Sequence, residues 1–265
     1  MVDCDIRSYF DTIPHDRLMG KVSEQIADRK VLQLIELMLN QGIMETHKEW
    51  TPIQGTPQGG VISPLLANIY LNELDHLLIQ KGVHPTRYAD DLVVLCDNEH
   101  QAKEVLEYIN NWMNKNGLTL HPDKTKVIDM NQPNATVDFL GYTFKRTVKG
   151  RLIRFPRQKS MKRFRGSIKA ITKRTSGKSL TETIKEINRI ARGRYNYFSD
   201  SISNTFDETD GFVRRRLRAI LLKRRRTPRF GTGEAHRLWP NKFFADKGLY
   251  SMKAASSSAS HSAQR

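Results

Sequence analysis

The feature that most constrains the fold of this sequence is a pair of adjacent aspartates between two short apolar runs. Residues 86–96 read TRYADDLVVLC, with Asp90 and Asp91 at the centre. Short apolar runs broken by turn residues predict a strand, a tight turn and a second strand. Adjacent carboxylates repel each other and lose hydration, and a divalent cation such as Mg²⁺, which prefers hard oxygen ligands, removes both penalties. The alternative is a plain surface hairpin turn, in which Asp is common.

A third carboxylate stands near the start of the chain. Asp5 lies at the end of the apolar run Met1–Ile6, which predicts a strand. If this strand neighbours the Asp90-Asp91 hairpin, the three carboxylates build a site for two metal ions, to which the Ile6 carbonyl could also contribute. Taken alone, Asp5 is better explained as an ordinary acid at a strand end.

A glycine-rich segment, GTPQGGVISP, occupies residues 55–64. Glycines allow a backbone to approach a ligand closely, while Ser63 and Pro64 predict the start of a helix that runs to about Gln80. The segment is not a Walker A loop, because no Gly-Lys-Ser/Thr follows the glycines. Without further context it is also explained as a simple connector.

The remaining periodicity predicts an α+β domain with a small, largely antiparallel sheet, followed by basic helices. We place the domain boundary near residues 146–157 and expect a disordered tail from Ala254, which is small and polar. In the first part, helices are predicted at 16–40 and 99–116 and short strands at 124–130 and 137–144. In the second, helices are predicted at 159–173, 180–198 and 212–226.

Charge is divided sharply between the two parts. Residues 1–144 hold 12 Lys+Arg and 20 Asp+Glu, a net of −8, whereas residues 145–265 hold 32 and 8, a net of +24. An acidic part joined to a strongly basic part suggests a metal-binding catalytic region beside a nucleic-acid clamp. A domain with a merely basic tail is the alternative.

The two cysteines, Cys4 and Cys96, lie in apolar runs without a second cysteine or a histidine at zinc-ligand spacing. They predict buried thiols in a reducing compartment and argue against a zinc site. The sequence contains no recognisable secretory signal or membrane span. We therefore expect a cytoplasmic, nucleic-acid-associated protein of a bacterium, with an organellar origin left open.

Together and in this order, the three segments resemble the palm motifs of reverse transcriptases. DIRSYFDTIPHDRL is similar to the first motif, TPQGGVISPLLANIYLNELD to the second and RYADDLVVLC to the third. GLTLHPDKTKVI and FLGYTF are similar to the two elements that follow. The resemblance implies a right-hand polymerase palm over residues 1–150, with Asp5, Asp90 and Asp91 as metal ligands and catalytic residues.

The same resemblance implies further roles. Phe10 matches the bulky residue that excludes a ribose 2′-hydroxyl, so deoxynucleotides are expected substrates. Gln58 matches a residue that contacts the incoming nucleotide, and Lys124 a lysine near its triphosphate. Leu140, Gly141 and Tyr142 match the segment that holds the primer end. From the residues alone, Phe10 is also explained as core and Lys124 as a surface lysine.

The basic part resembles the maturase-specific thumb, or domain X, of group II intron-encoded proteins. The likeness is carried by the segment SLTETIKEINRIARGRYNYF and continues through VRRRLRAILLKRRRTP and LWPNKFFADKGLYSM. We therefore assign residues 157–253 to that domain and residues 254–265 to the tail. Arginines there can engage phosphates and aromatics can stack on bases. Phe198 is expected in the core and Tyr195 more exposed. The predicted RNA-binding residues are Arg189, Arg192, Arg194, Tyr195, Arg214, Arg215, Arg216 and Arg218.

The predicted function is therefore an RNA-directed DNA polymerase and intron maturase that uses two Mg²⁺ ions. Its expected partners are intron RNA, an RNA template, a DNA primer and dNTPs, and not a membrane. Compared with the family pattern, we expect the N-terminal fingers to be missing, and no HNH-like or Cys/His-rich endonuclease segment follows domain X. An RNA-binding maturase fragment without polymerase activity and a retron-type reverse transcriptase remain the alternatives.

Overall fold

The computed structural model describes residues 1–40, 43–45, 48–50, 54–56, 60–225 and 232–262. It divides into two compact units, Met1–Leu140 and Gly141–Arg265. None of the helices in the described ranges combines the length and apolarity that a membrane span needs.

The first unit mixes helices and short strands, as an α+β domain does. Its helices are α1 (Tyr9–Thr12), α2 (His15–Ser23), α3 (Arg29–Leu39), α4 (Ser63–Gln80) and α5 (Glu99–Lys115). Its strands are β1 (Val2–Cys4), β2 (Ile43–Glu45), β3 (Lys48–Trp50), β4 (His84–Tyr88), β5 (Asp91–Leu95), β6 (Lys126–Val127) and β7 (Thr136–Phe139).

Four of these strands form an antiparallel sheet in the order β4-β5-β1-β6. Alternate residues of β1 and β5, among them Val2, Cys4, Leu92 and Val94, are buried in the core that the sheet shares with α4 and α5. Because side chains alternate between the faces of a strand, the intervening residues lie on the opposite face of the sheet. That opposite face carries the acidic residues. The predicted small antiparallel sheet is thus confirmed.

In the first unit, some of the observed helix boundaries agree with the predicted ones and others do not. Helix α4 runs from Ser63 to Gln80 as predicted, and the Asp90-Asp91 segment forms the predicted hairpin. The helix expected over 16–40 is instead two helices, α2 and α3. Asp28 caps α3 by accepting hydrogen bonds from the backbone N–H groups of Lys30 at 2.8 Å and Val31 at 3.4 Å, which favours a new helix start.

Both cysteines belong to or pack against this core. Cys4 is buried, Cys96 is half-buried, and both are free thiols. Burial raises the pKa of Cys4 to about 12, so its thiol stays protonated and unreactive at neutral pH.

The second unit begins with a β-hairpin and continues as helices. The hairpin pairs β8 (Tyr142–Arg146) with β9 (Leu152–Pro156). The helices are α6 (Gln158–Ile171), α7 (Leu180–Phe198), α8 (Ser203–Arg224), α9 (Thr232–Leu238), α10 (Asn241–Asp246) and α11 (Met252–Ser262). Apolar side chains of α6, α7 and α8, including Ile168, Ile187 and Leu217, form the core of this unit.

The hairpin lies in the second unit, whereas the sequence assigned its first strand to the palm and placed its second strand at the domain boundary. The backbone N–H of Arg157 donates to the Gly141 carbonyl at 2.9 Å, and that of Ile202 donates to the Arg154 carbonyl at 3.1 Å. Tyr142 stacks on Tyr197, with ring centroids 6.1 Å apart. These contacts explain why the units divide after Leu140, upstream of the boundary expected near residue 150.

The prediction of a disordered tail from Ala254 is wrong for the residues described, because Met252–Ser262 form α11. The buried carboxylate of Asp210, on α8, holds the start of this helix. It accepts hydrogen bonds from the Ser251 hydroxyl at 2.7 Å and from the backbone N–H groups of Met252 and Lys253 at 3.2 Å each. A cap supplied from 41 residues away cannot be recognised in a local window of sequence.

Replacing Asp210 with Ala should therefore destabilise the second unit by about 2 kcal/mol, the order expected when a charged cap is removed and backbone donors are left unpaired. Chemical unfolding with circular dichroism measures the change. The matched control is Asp207→Ala, which removes an exposed carboxylate 3.4 Å from Lys253 and should have a much smaller effect. Equal destabilisation in the two variants would contradict the capping role.

Candidate active site and nucleic-acid surface

The register of the central strands brings Asp5 and Asp91 together. Strand β1 pairs with β5 so that Cys4 lies opposite Leu92. If this register continues by one residue, Asp5 faces Asp91, on the face opposite the buried Cys4 and Leu92. We therefore expect two of the three predicted metal ligands to lie at neighbouring strand ends, on one face of the sheet.

A further acidic residue, Asp3, shares this face. Burial raises the pKa of the Asp3 carboxyl, nearby Lys126 opposes that rise, and the charges of Asp91 and Asp5 add to it. The charges of Asp91 and Asp5 are therefore close enough to Asp3 to raise the pKa of its carboxyl. The sequence reasoning missed Asp3, although the Asp-x-Asp spacing in a predicted strand is a signal that it shares a face with Asp5.

The third predicted ligand, Asp90, lies in the turn of the β4–β5 hairpin. Tyr88 pairs with Asp91, which leaves Ala89 and Asp90 as a two-residue loop. Ala89 has a φ of +54°, a left-handed conformation that a residue with a side chain rarely adopts. Such strain persists only where the surroundings impose it, and it is frequent at functional sites.

Arg87 supplies that constraint. Its guanidinium donates to the Asp75 carboxylate, to the Asn68 side chain at 2.8 Å and to the Ala89 carbonyl at 3.0 Å. The Arg87 side chain is only 10% exposed. Because Asn68 and Asp75 lie on α4, Arg87 ties the Ala89-Asp90 turn to the helix that follows the glycine-rich segment. The sequence reasoning gave Arg87 no role.

For the polymerase activity that the sequence predicts, replacing Arg87 with Lys should lower the rate by about ten-fold, because a lysine cannot bond to Asp75, Asn68 and the Ala89 carbonyl in one fork. RNA affinity should stay unchanged, which separates the turn from nucleic-acid binding. Lys21→Arg is the control, since Lys21 pairs with Glu73 on α4 without touching the turn. Primer-extension rates for both variants test this, and parental rates for Arg87→Lys would exclude the positioning role.

Lys124, predicted near the triphosphate, is paired with a predicted metal ligand. Its ammonium lies 3.1 Å from Asp5 Oδ1 and 3.3 Å from Oδ2. The backbone of Asp5 is also fixed, since its carbonyl accepts from the His121 N–H at 2.7 Å. Lys124 therefore neutralises the carboxylate that the sequence assigns to a cation.

The donor set suits a hard divalent ion in its chemistry. Asp5, Asp90 and Asp91 offer carboxylate oxygens, the ligands that Mg²⁺ prefers. In the described ranges, however, no three His, Cys, Asp or Glu side chains are gathered closely enough to hold an ion. Occupation would require Asp5 to exchange Lys124 for the ion. The side chain of Ile6 is buried, and the role of its carbonyl as a ligand stays a prediction.

The segment that contains Phe10 and the glycine-rich segment contact each other through backbone hydrogen bonds. The Gly55 N–H donates to the Ile13 carbonyl at 2.7 Å, and the Thr56 N–H donates to the Phe10 carbonyl at 2.6 Å. Gly55 has a φ of +90°, and a Cβ there would lie 2.8 Å from backbone atoms of Phe10 and Asp11. Phe10 itself is half-buried against the core. Gln58 lies outside the described residues.

The three predicted primer-binding residues lie where the chain enters the β8–β9 hairpin. Leu140 and Gly141 have φ angles of +48° and +79°. Tyr142 donates its hydroxyl to the Tyr197 carbonyl at 2.7 Å and packs against the ring of Phe198 at 4.9 Å. Their role in binding a primer stays a prediction.

The predicted RNA-binding arginines separate into exposed and internal groups. Arg189, Arg192 and Arg215 are exposed, and Arg214 is half-exposed. Arg216 donates to the Thr172 hydroxyl and carbonyl. Burial lowers the pKa of Arg194 to about 10, and its guanidinium lies between the rings of Phe164 and Phe198.

Arg218 and Tyr195 require correction. Arg218 is 4% exposed and donates to the Trp239 carbonyl and the Asn241 side chain, so it supports the fold and is not available to RNA. Phe198 is in the core as predicted. Tyr195, expected to be more exposed, is half-buried against Phe206, whereas Tyr197 is 57% exposed. Helical spacing alone does not tell which aromatic faces solvent.

Comparison with known proteins matches both parts of the chain. A model of the family "Reverse transcriptase (RNA-dependent DNA polymerase)" matches residues 1–144, more than half of the chain. A model of the "Group II intron, maturase-specific domain" matches residues 161–239.

Two relatives with similar sequences have names that refer to introns. "Group II intron-encoded protein LtrA" of Lactococcus lactis subsp. cremoris is 47% identical over 79 residues, which are 30% of this chain and 13% of that protein. An "Uncharacterized 91 kDa protein in cob intron" of Schizosaccharomyces pombe is 30% identical over 185 residues, with 48% and 23% covered. The chain thus spans less than a quarter of the length of these relatives.

Among solved structures, telomerase from Candida albicans, in complex with the TWJ fragment of telomeric RNA, aligns with a TM-score of 0.48 and 12% identity. The alignment covers 84% of this chain and 43% of the telomerase chain.

Proposed function

Because the chain belongs to the reverse transcriptase family and carries a group II intron maturase-specific segment, we propose that it is part of an enzyme that copies RNA into DNA. The reaction adds dNTPs to a primer 3′-hydroxyl on an RNA template, and the same protein assists its intron RNA as a maturase. The observation that supports this proposal is the strand register, in which Cys4, the residue before Asp5, pairs with Leu92, the residue after Asp91, while Asp90 lies in the turn between β4 and β5.

Each predicted site residue has its own proposed role in nucleotide addition. Asp5, Asp90 and Asp91 would hold two Mg²⁺ ions, with the Ile6 carbonyl as a further oxygen ligand. When bound, the ions supply activation of the primer 3′-hydroxyl and neutralise charge on the leaving pyrophosphate. Lys124, once exchanged from Asp5, would contact the triphosphate, and Gln58 the incoming nucleotide. Leu140, Gly141 and Tyr142 would hold the primer end.

Primer extension on an RNA template tests the proposal in the protein as its gene encodes it. We expect Mg²⁺-dependent incorporation of dNTPs that requires both the RNA template and the primer. Incorporation that is independent of the template, or none by a folded protein, would contradict the polymerase assignment.

Phe10 is the proposed gate for the sugar. Phe10 comes five residues after Asp5 in the sequence, and its ring is half-buried. A bulky side chain at this position would collide with a ribose 2′-hydroxyl. Phe10→Ala should therefore raise ribonucleotide incorporation by about ten-fold or more relative to deoxynucleotides. Incorporation ratios measured with each nucleotide alone test this, and Phe10→Tyr, which keeps the bulk, is the control. An unchanged ratio in an active, folded Phe10→Ala protein would remove the gate role.

A further inference from the structure

His15 joins the segment that contains Phe10 to the glycine-rich segment through its side chain. It is the first residue of α2 and is half-buried. Its ring Nε2 lies 2.5 Å from the carbonyl oxygen of Gly55, 40 residues further along the chain. Because a carbonyl oxygen only accepts hydrogen bonds, Nε2 carries a hydrogen and is the donor in this bond. No role was predicted for His15 from the sequence.

The bond from His15 acts on a peptide group that is also held at its other end. The carbonyl of Gly55 and the N–H of Thr56 belong to one planar peptide unit. The Thr56 N–H donates to the Phe10 carbonyl at 2.6 Å. His15 and Phe10 therefore hold opposite ends of this unit and oppose its rotation. We call the Gly55–Thr56 peptide unit and its two partners the peptide clasp.

The residues on either side of this peptide unit are tied to the same part of the chain. The Gly55 N–H donates to the Ile13 carbonyl at 2.7 Å, and Gln54 forms an antiparallel bridge with Pro14. These are backbone contacts, which the exchange of a side chain does not remove. The bond from His15 is a side-chain contact, so one substitution can remove it and leave the backbone partners unchanged.

The composition of the segment explains why an outside anchor matters. Three of the six residues 55–60 are glycines, and glycine loses more conformational freedom on ordering than any other residue. A side chain in such a segment stays in a productive position only where the backbone is restrained. Gln58, the proposed contact for the incoming nucleotide, comes two residues after Thr56. The clasp also includes the carbonyl of Phe10, the proposed sugar gate.

We propose that His15 is a positioning residue for the incoming nucleotide, which it serves by fixing the Gly55–Thr56 peptide unit beside Phe10. This inference rests on the proposed function and deepens it by naming a residue, outside the predicted site residues, on which nucleotide binding depends. Because the bond is to the glycine-rich segment and not to a predicted metal ligand, its loss affects nucleotide binding more than the chemical step.

Primer extension on an RNA template, with the dNTP concentration varied, tests this role. His15→Ala should raise the KM for dNTP by about five- to ten-fold, the order expected for one lost hydrogen bond, and leave kcat within about two-fold of the parent. His15→Gln, whose amide nitrogen can donate from a similar position, should restore the KM to within about two-fold of the parent. The matched control is His76→Ala, which removes an exposed histidine from α4 and should leave both constants at parental values.

A merely structural role would change different quantities. If His15 only stabilised the fold, His15→Ala would lower kcat through a smaller folded fraction and leave the KM for dNTP unchanged. That result would overturn the proposal. A KM that stays raised in His15→Gln would overturn it too, because the donor would then be irrelevant, and so would an equal rise in the KM for the primer–template.

Amide hydrogen exchange tests the clasp without any turnover. The Thr56 N–H should exchange at least about five-fold faster in His15→Ala than in the parent, because the peptide unit is then held at one end only. In His15→Gln it should exchange at about the parental rate. Nuclear magnetic resonance on the isotope-labelled protein measures the rate for this amide. Unchanged exchange in His15→Ala would show that the bond to Phe10 suffices, and it would overturn the proposal.

The outcomes separate this inference from the function on which it rests. If the parent protein extends the primer and His15→Ala has the parental KM for dNTP, His15 is not a positioning residue and the proposed function stands. If the folded parent extends no primer, the proposed function is wrong and the nucleotide role of His15 falls with it, whatever the exchange of Thr56 shows.

Discussion

Replacing Asp90 with Asn is expected to lower RNA-templated nucleotide incorporation by at least about 10³-fold while leaving RNA affinity within about two-fold of the parent. The substitution removes one negative charge from the turn between β4 and β5 and barely changes its volume. Weaker cation binding and loss of electrostatic stabilisation in the reaction give effects of this order. Primer extension and anisotropy measured on the same preparation provide both values.

The control for this experiment lies in the same part of the chain. Asp97 is an exposed aspartate just beyond β5, and Asp97→Asn removes the same charge away from the acidic face. It should polymerise at the parental rate. If Asp90→Asn also polymerises at the parental rate, Asp90 has no role in catalysis. If the folded variant instead loses RNA binding, the first unit takes part in binding RNA.

Substituting Ala at two glycines should change stability in opposite directions. Gly55→Ala would place a Cβ 2.8 Å from backbone atoms of Phe10 and Asp11 at a φ of +90°, and we expect a loss of about 3 kcal/mol. Gly20 is exposed within α2, and a Cβ at this position would have no heavy atom within 4 Å apart from its two chain neighbours and the backbone of its own helix. Gly20→Ala should therefore stabilise by about 0.5–1 kcal/mol.

Denaturant unfolding, monitored by circular dichroism, measures the change in the free energy of unfolding for each of the two variants. The destabilisation by Gly55→Ala should be accompanied by a fall in polymerisation, because Thr56 bonds to the carbonyl of Phe10, the proposed gate. A Gly55→Ala protein as stable as the parent would mean that the first and second motifs do not depend on their backbone contact.

The parts of the fold that follow from local patterns were predicted well. Helix α4 begins at Ser63 and helix α7 spans Leu180–Phe198 as expected. In α4 the predicted Ser63 cap is wrong, because Ile62 is the N-cap residue and makes no side-chain cap bond, and Pro64 in the first turn marks the start. Ser179 and Glu182 form a complete capping box at the start of α7. The resemblance to reverse transcriptases was also confirmed, since five ordered motifs carry far more information than one.

What the sequence could not supply were contacts between residues far apart in the chain. Arg87 reads as one basic residue in a strand, and only the fold shows that it ties the Ala89 carbonyl to α4. Arg218 lies in an arginine-rich run that suggests RNA binding, but its position on α8 turns it inward to Trp239 and Asn241. Composition indicates which side chains are charged, and packing decides which of them face solvent.

The pairing of Lys124 with Asp5 implies an order of assembly. A divalent ion and the lysine compete for one carboxylate, so each weakens the other by mass action. Without an ion, Lys124 provides a counterion for the acidic face. Binding of an ion by Asp5 would release the Lys124 ammonium, which could then pair with the anionic triphosphate of a nucleotide. Metal and nucleotide would therefore bind cooperatively, with this single lysine as the link between them.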